Sequence, residues 1–175
     1  GAYIHTSASS NIYGVSAGDK LGWSLATGDI DNDGADDIVI GAPGNDGGAA
    51  NGGAGFVVLG SSLPAGSTTV SSVASCSTTG PQTSMALGTT VLLADLDGSG
   101  GLELLLGAPY YDTASTDAGA VFRFNDLGSG CFASSSSSDF AYEGSGASAS
   151  HGTSMASGDV DGDGVADLVI GADND

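Results

Sequence analysis

The chain has 175 residues, with 31 glycines and 21 acidic residues against only two basic ones, Lys20 and Arg123, and its formal net charge is −19. This charge excludes nucleic acid and anionic membrane surfaces as expected partners, because both need clustered lysine and arginine. No apolar run approaches the roughly 20 residues that span a bilayer, so membrane insertion is not expected. Helix-forming residues are sparse and Gly, Ser, Thr and Asp mark frequent turns, which favours an all-β protein of short strands.

One pattern occurs three times along the chain without a gap, at residues 21–43, 87–109 and 151–173. Each copy predicts a strand, an acidic turn and a second strand with a run of large aliphatic residues, such as Ile38, Val39 and Ile40. A continuous apolar run indicates a strand that is covered on both faces. The first acidic residues of the copies, at positions 29, 95 and 159, are 66 and 64 residues apart, which identifies an internal repeat.

A third strand is predicted at residues 53–58 and 119–124, and its counterpart for the last copy lies at the start of the chain, at residues 1–5. The unit is then a four-stranded antiparallel sheet, and repeats of such sheets fit β-propeller blades better than a β-sandwich. We expect one domain, 1–175, with three such blades at approximately 20–83, 84–148 and 149–175, the last completed by 1–19.

Three blades are too few to close a ring, since propellers normally have at least about four. The segment is therefore expected to be an incomplete ring or part of a larger propeller or assembly. Its partners would be further blades of the same protein or copies of itself, joined by strand donation at an open sheet edge.

Acidic residues stand at alternate positions of each turn, and a glycine at the sixth position permits the backbone to reverse. A hard divalent cation takes six to eight oxygen ligands, and a flexible all-oxygen loop favours Ca²⁺ over Mg²⁺, while zinc would call for His or Cys. The seventh residue is expected to offer its carbonyl oxygen. The predicted ligands are Asp29, Asp31, Asp33, Ala35 and Asp37 in the first loop, Asp95, Asp97, Ser99, Gly101 and Glu103 in the second, and Asp159, Asp161, Asp163, Val165 and Asp167 in the third.

The alternative to a metal site is a solvated acidic turn. Two unit charges about 4 Å apart repel by roughly 4 kcal/mol at an effective dielectric near 20, so four clustered carboxylates need a cation. An EF-hand is excluded, because position twelve is aliphatic and the flanking segments are strand-like. Three Ca²⁺ ions are expected, and the second site is the weakest because its loop has one carboxylate fewer.

The repeat resembles the FG-GAP repeat of integrin α-type β-propellers and of many secreted bacterial proteins. The resemblance rests on a Gly seven residues before the first acid, on the acidic motif, and on the Gly-Ala-Pro elements at 41–43 and 107–109. The aromatic before the first Gly is replaced in every copy, and Asp173 replaces the last proline. The resemblance implies a propeller with calcium-braced loops on one face and a binding surface, often adhesive, built from other loops.

Enzyme motifs are weak. Residues 151–156 look like the nucleophile motif of subtilisin-like proteases, but Ser154 aligns with Ser24 and Thr90 in the other copies, so the repeat explains it. Ser16 stands in a Gly-x-Ser-x-Gly pattern that lacks the strand-to-helix context of a nucleophile elbow. We therefore expect no catalytic residues and no enzyme activity.

Cys76 and Cys131 lie in equivalent segments of adjacent repeats and could form a disulfide, and the serine-rich stretch at 134–138 is expected to be a solvated loop. The millimolar Ca²⁺ outside cells suits such acidic loops, so an extracellular or cell-surface location is expected. The function that follows is a structural or adhesive scaffold. A carbohydrate- or protein-binding accessory domain of a larger secreted enzyme is the alternative, and either leaves room for a protein or glycan ligand.

Overall fold

The computed structural model describes residues 2–4, 10–125, 127 and 138–173. Within them the chain is nearly all β, and its helical structure is one 3₁₀ turn at Gly60–Ser62 and the four-residue helix α1 at Val70–Val73. The strands are β1 Ala2–Ile4, β2 Ser10–Tyr13, β3 Ser24–Gly28, β4 Asp37–Ala42, β5 Ala54–Val58, β6 Gly66–Thr69, β7 Cys76–Thr79, β8 Thr90–Ala94, β9 Glu103–Ala108, β10 Ala120–Phe124, β11 Phe140–Glu143, β12 Ser154–Gly158 and β13 Asp167–Gly171.

The strands form two four-stranded antiparallel sheets, β3-β4-β5-β7 and β8-β9-β10-β11, which we call blade one and blade two. The hairpin β12-β13 has the same register as β3-β4 and β8-β9, and we call it the third hairpin. The fold class is therefore confirmed as all-β with sheets typical of β-propeller blades, and the described residues form no closed ring.

The N-terminal strands lie apart from the third hairpin. β1 pairs with β2 in an antiparallel hairpin, and β2 pairs in parallel with β6, which belongs to the segment between β5 and β7. Among the described residues, the third hairpin has two strands, and its completion by residues 1–19 stays a prediction. This parallel pairing has no counterpart in blade two in the part of the chain that is described.

The apolar runs of β4 and β9 are buried on both faces, as their sequence predicts. Between blades one and two, Val39 and Val57 pack with Leu104, Leu106 and other buried side chains. On the opposite face of blade one, Ile40 packs with Ile12, Leu21, Phe56 and Val70. Neighbouring residues of one strand thus point into different cores, because side chains alternate along a strand and both faces are covered.

Glycine is required where adjacent blades approach each other. A Cβ on Gly41 in β4 would overlap the carbonyl oxygen of Gly88, and Gly107 meets the carbonyl of Gly152 in the same way. The Gly-Ala element of the repeat therefore serves backbone-to-backbone packing between blades.

Cys131 and residues 134–137 lie outside the described residues, so the disulfide and the serine-rich loop remain predictions. Cys76 is buried in β7. No helix in the described part of the chain is long and apolar enough to cross a membrane.

Candidate metal centre

Each acidic loop is the connection inside a hairpin. The loops follow β3, β8 and β12 and lead into β4, β9 and β13. The backbone reverses at the sixth loop position, where Gly34, Gly100 and Gly164 have φ values of +90°, +89° and +92°. Side chains with a Cβ rarely adopt this conformation, which explains the glycine that the sequence places there.

Backbone N–H groups hold the carboxylates inside the turn. Asp29 accepts hydrogen bonds from the N–H groups of Asp33 and Gly34, both at 3.0 Å. Asp33 accepts one from Ala35 N–H at 2.8 Å. The third loop repeats this frame, since Asp159 accepts from Gly164 N–H at 3.0 Å and Asp163 from Val165 N–H at 2.8 Å. The loops therefore have one shared geometry, set by the backbone.

Carboxylate oxygens converge in all three loops. In each loop, one oxygen from each of three acids lies within 4.8 Å of the others. The clusters are Asp29, Asp31 and Asp33 in the first loop, Asp95, Asp97 and Glu103 in the second, and Asp159, Asp161 and Asp167 in the third. The structure therefore groups nine of the predicted ligands into three clusters, one in each loop.

The last acid of the first loop is held by hydrogen bonds that the sequence does not predict. Asp37 is fully buried and lies outside the cluster of the other three acids. It accepts hydrogen bonds from Ile30 N–H at 2.9 Å and from Gly60 N–H at 2.8 Å. Its equivalents accept from the matching N–H groups, Glu103 from Leu96 and Asp167 from Val160. The last acid thus fastens the start of the loop to the second strand, a role that spacing alone does not reveal.

The remaining predicted ligands are Asp163, the Ser99 hydroxyl and the three carbonyl groups. Asp163 lies in its loop but outside the cluster of three, and Ser99 Oγ accepts a hydrogen bond from Gly101 N–H at 3.3 Å. The carbonyls of Ala35, Gly101 and Val165 follow the reversing glycines, and their place in a coordination shell stays a prediction.

The FG-GAP repeat family model matches residues 21–59 and 151–175. These two segments are FG-GAP repeats. They contain the first and third acidic loops with the strands on either side. The second repeat lies outside the matched residues, although it folds into the same four-stranded sheet. No curated protein matches the chain.

The second repeat departs from the FG-GAP pattern in its charges. Arg123 in β10 places its guanidinium 3.3 Å from Glu103 and 3.7 Å from Asp97. The residue at the same position of the first FG-GAP repeat is Val57, since Val57 pairs with Val39 and Arg123 with Leu105. We did not predict this contact. The signal for it was the one arginine of the chain, placed in an apolar strand.

The loop electrostatics follow from these contacts. Burial and the neighbouring carboxylates of Asp33, Asp37 and Asp29 raise the pKa of Asp31, against the opposing hydrogen bond from Asp33 N–H. Burial also raises the pKa of Glu103, although Leu96 N–H and Arg123 oppose the shift. Hydrogen bonds from the hydroxyl and N–H of Ser99 lower the pKa of Asp97, and Arg123 adds to this effect. The ionised first loop is thus repulsive, while the second is partly neutralised.

The donor atoms fit a hard cation. All the converging groups are carboxylates, which are the ligands that Ca²⁺ takes. In the second loop, Asp95 Oδ1 is buried and accepts no hydrogen bond from the described residues. A buried carboxylate oxygen without a partner is costly, and a bound cation would satisfy it.

Ser16 and the equivalents of Ser154 make hydrogen bonds that hold the backbone in place. Ser24 and Thr90, the equivalents of Ser154, donate hydrogen bonds to backbone carbonyls of the next repeat. Ser16 N–H donates to Asp19 at 2.8 Å beside a groove of about 380 Å³. The described lining of this groove includes no histidine that could act as a general base. FG-GAP repeats are a structural and binding module family.

Proposed function

We propose that the chain is a non-enzymatic, calcium-braced propeller module that acts outside the cell or at its surface as a structural or adhesive scaffold. The observation that carries the proposal is the convergence of three carboxylates in each of three equivalent hairpin loops. Eleven of the 21 acidic residues of the chain stand at the predicted ligand positions of these loops, so a structural role for them has to include a way of neutralising charge.

Calcium suits these loops because it accepts irregular shells of carboxylate, carbonyl and water oxygens. In the first loop Asp29, Asp31 and Asp33 would hold the ion, with Asp37 and the Ala35 carbonyl as further candidates. The second and third loops would use their equivalents. The bound ion would hold the inner hairpin of each blade in one conformation.

The stabilisation follows from mass action. A ligand that binds only the folded state at 100 times its Kd stabilises that state by about 2.7 kcal/mol per site. Extracellular Ca²⁺ near 1 mM with a Kd of roughly 10 μM gives this ratio, which also favours the extracellular location. The ions therefore supply a large part of the stability of a marginally stable fold.

The adhesive role is supported by the match of two segments to the FG-GAP repeat, which belongs to a structural and binding module family. The ligand of such a module would be a protein or glycan bound at loops other than the acidic ones. Further blades, from the same protein or from copies of this chain, would complete the ring.

Calorimetric titration with Ca²⁺ and thermal melts with and without a chelator test the proposal. We expect three bound ions, the second-loop site being the weakest, and a lower Tm in chelator. The double variant Asp29→Asn with Asp31→Asn should lose one ion. The variant Asp36→Asn, which removes a carboxylate from the same loop outside the cluster, should keep all three. An unchanged Tm in chelator, or no measurable Ca²⁺ binding, would refute the proposal.

A further inference from the structure

The two internal contacts between adjacent repeats follow one pattern. The Ser24 hydroxyl donates to the Gly88 carbonyl at 2.8 Å, and the Thr90 hydroxyl donates to the Gly152 carbonyl at 2.8 Å. In both contacts the acceptor carbonyl also lies against a glycine of the preceding blade, Gly41 or Gly107. Each repeat therefore places a hydroxyl donor and a glycine, which has no Cβ, against a backbone carbonyl of the next repeat.

Apolar side chains on the same face complete this contact. Val39 is 0% exposed in the core between blades one and two, and Ile30 lies beside it in that core. Leu105, the equivalent of Val39, is also fully buried, on the face opposite to Leu104 and Leu106 and so toward the third hairpin. The forward face of a repeat is thus buried wherever another repeat follows.

The third hairpin presents the same face uncovered. Val169 and Val160, the equivalents of Val39 and Ile30, are 52% and 73% exposed. Ser154 and Ala156 are exposed as well, and among the described residues Ser154 donates to no carbonyl of a further repeat. The edge of β13 away from β12 has no partner strand in the described part of the chain.

The N-terminal end of the chain has the groups that would match this uncovered face. Gly22 N–H donates to Gly41 O at 3.0 Å, as Gly88 N–H does to Gly107 O at 2.9 Å, so the Gly22 carbonyl is the equivalent of the two acceptor carbonyls. Leu25 is 50% exposed and Trp23 is 63% exposed on the backward face of blade one. Val91, the equivalent of Leu25, is packed against the core between the blades.

The β1-β2 hairpin also matches the outer half of a blade. Gly22 follows Gly14 by eight positions, as Gly88 follows Gly80 and Gly152 follows Gly144, so β2 stands where β7 and β11 stand in their repeats. β1 pairs with β2 in antiparallel fashion, as β5 does with β7. The edge of β1 away from β2 has no partner among the described strands.

We propose that the third hairpin of one copy docks against the N-terminal end of a second copy, so that β12, β13, and the β1 and β2 of the second copy form one four-stranded blade. Ser154 would donate to the Gly22 carbonyl of the second copy, and Val160 and Val169 would cover its Leu25. This inference rests on the proposed propeller module and names its partner as a second copy of the chain. The contact joins unlike ends, so it repeats around a ring or along a filament.

Light scattering after size-exclusion chromatography in saturating Ca²⁺ tests the assembly. The 16.7 kDa chain should run as a dimer or larger species at micromolar concentration. Val169→Glu and Leu25→Glu should each abolish self-association with roughly a hundred-fold or greater rise in Kd, because each buries an unpaired charge. Tyr110→Glu, at a residue 50% exposed away from both ends, is the matched control and should assemble like the unchanged chain.

Mixing the two defective variants gives the sharpest result. The Val169→Glu chain keeps an intact N-terminal end and the Leu25→Glu chain keeps an intact third hairpin, so their mixture should form a heterodimer and nothing larger. A heterodimer would also show that both variants are folded. A chain that stays monomeric in Ca²⁺, or variants that assemble like the control, would overturn the inference. A Ca²⁺-dependent Tm in such a monomer would leave the proposed calcium module standing.

Discussion

Replacing Arg123 by valine, the residue that the first repeat has at this position, should make the second blade dependent on calcium. The Arg123 side chain is 12% exposed and its guanidinium lies 3.3 Å from Glu103, whose side chain is 1% exposed. At this distance and an effective dielectric near 20, the two charges attract each other by about 5 kcal/mol. Arg123 therefore supplies, inside the protein, part of the positive charge that an ion supplies in the other loops.

Arg123→Val should destabilise the metal-free protein but strengthen Ca²⁺ binding at the second loop. Removing one partner of a buried ion pair costs about 3–5 kcal/mol, so Arg123→Val should lower the Tm in chelator by roughly 6–20 °C for a domain of this size. A bound Ca²⁺ replaces the lost positive charge and no longer meets the repulsion of Arg123. The affinity of the second loop should then rise by about tenfold or more, which corresponds to 1.4 kcal/mol.

Calorimetric titration and paired thermal melts in chelator and in calcium measure both effects. Arg123→Lys keeps the charge and should keep the weak second site. Lys20→Met removes the one other basic side chain, which lies over the Trp23 ring at 5.5 Å, and should leave Ca²⁺ affinity unchanged. Equal loss of Tm with and without calcium, at unchanged affinity of the second site, would refute the idea that Arg123 competes with the ion.

Two further predictions concern pH and packing. The pKa values of Asp31 and Glu103 are raised in the folded state, so these two groups should stabilise the metal-free fold at acidic pH and lose that contribution as the pH rises above about 4. The lowered pKa of Asp97 acts in the opposite direction, and we expect the two raised groups to outweigh it. Melts in chelator at increasing pH check the sign, which a rising Tm would contradict. Gly41→Ala should cost about 2 kcal/mol or more in urea unfolding, because its Cβ overlaps the Gly88 carbonyl. At low protein concentration Gly158→Ala, where a Cβ meets nothing within 4 Å, should cost less than about 1 kcal/mol.

The sequence predicts what is local and repeated. Three features depend on residues that are close in the chain: the inner hairpins, the reversing glycines such as Gly34, and the apolar runs of β4 and β9. Each of these patterns recurs in the other copies of the repeat, so one copy supports the prediction made from another. The third strand at 53–58 was predicted for the same reason and appears as β5.

Contacts between distant segments could not be predicted in this way. The pairing of β2 with β6 joins residues 56 positions apart, and no second pairing of this kind occurs in the described part of the chain, so no internal comparison indicates it. The burial of Asp37 and its hydrogen bond from Gly60 N–H depend on how the next segment packs, which the spacing of the acids does not show. The Arg123 contact likewise depends on which face of β10 meets the second loop.

Calcium binding and assembly should be linked in the third hairpin, because the same loop carries both. Asp167 holds Val160 N–H at 2.8 Å, and Val160 is one of the two side chains offered to the second copy. In blade one the equivalent bond, from Ile30 N–H to Asp37, fixes a residue that is 6% exposed in the core between the blades. An ion that orders the third loop therefore also orders the docking face, and reciprocity requires that docking raise the affinity of this loop for Ca²⁺ by the same factor. The affinity of the third loop for Ca²⁺ should therefore rise with chain concentration.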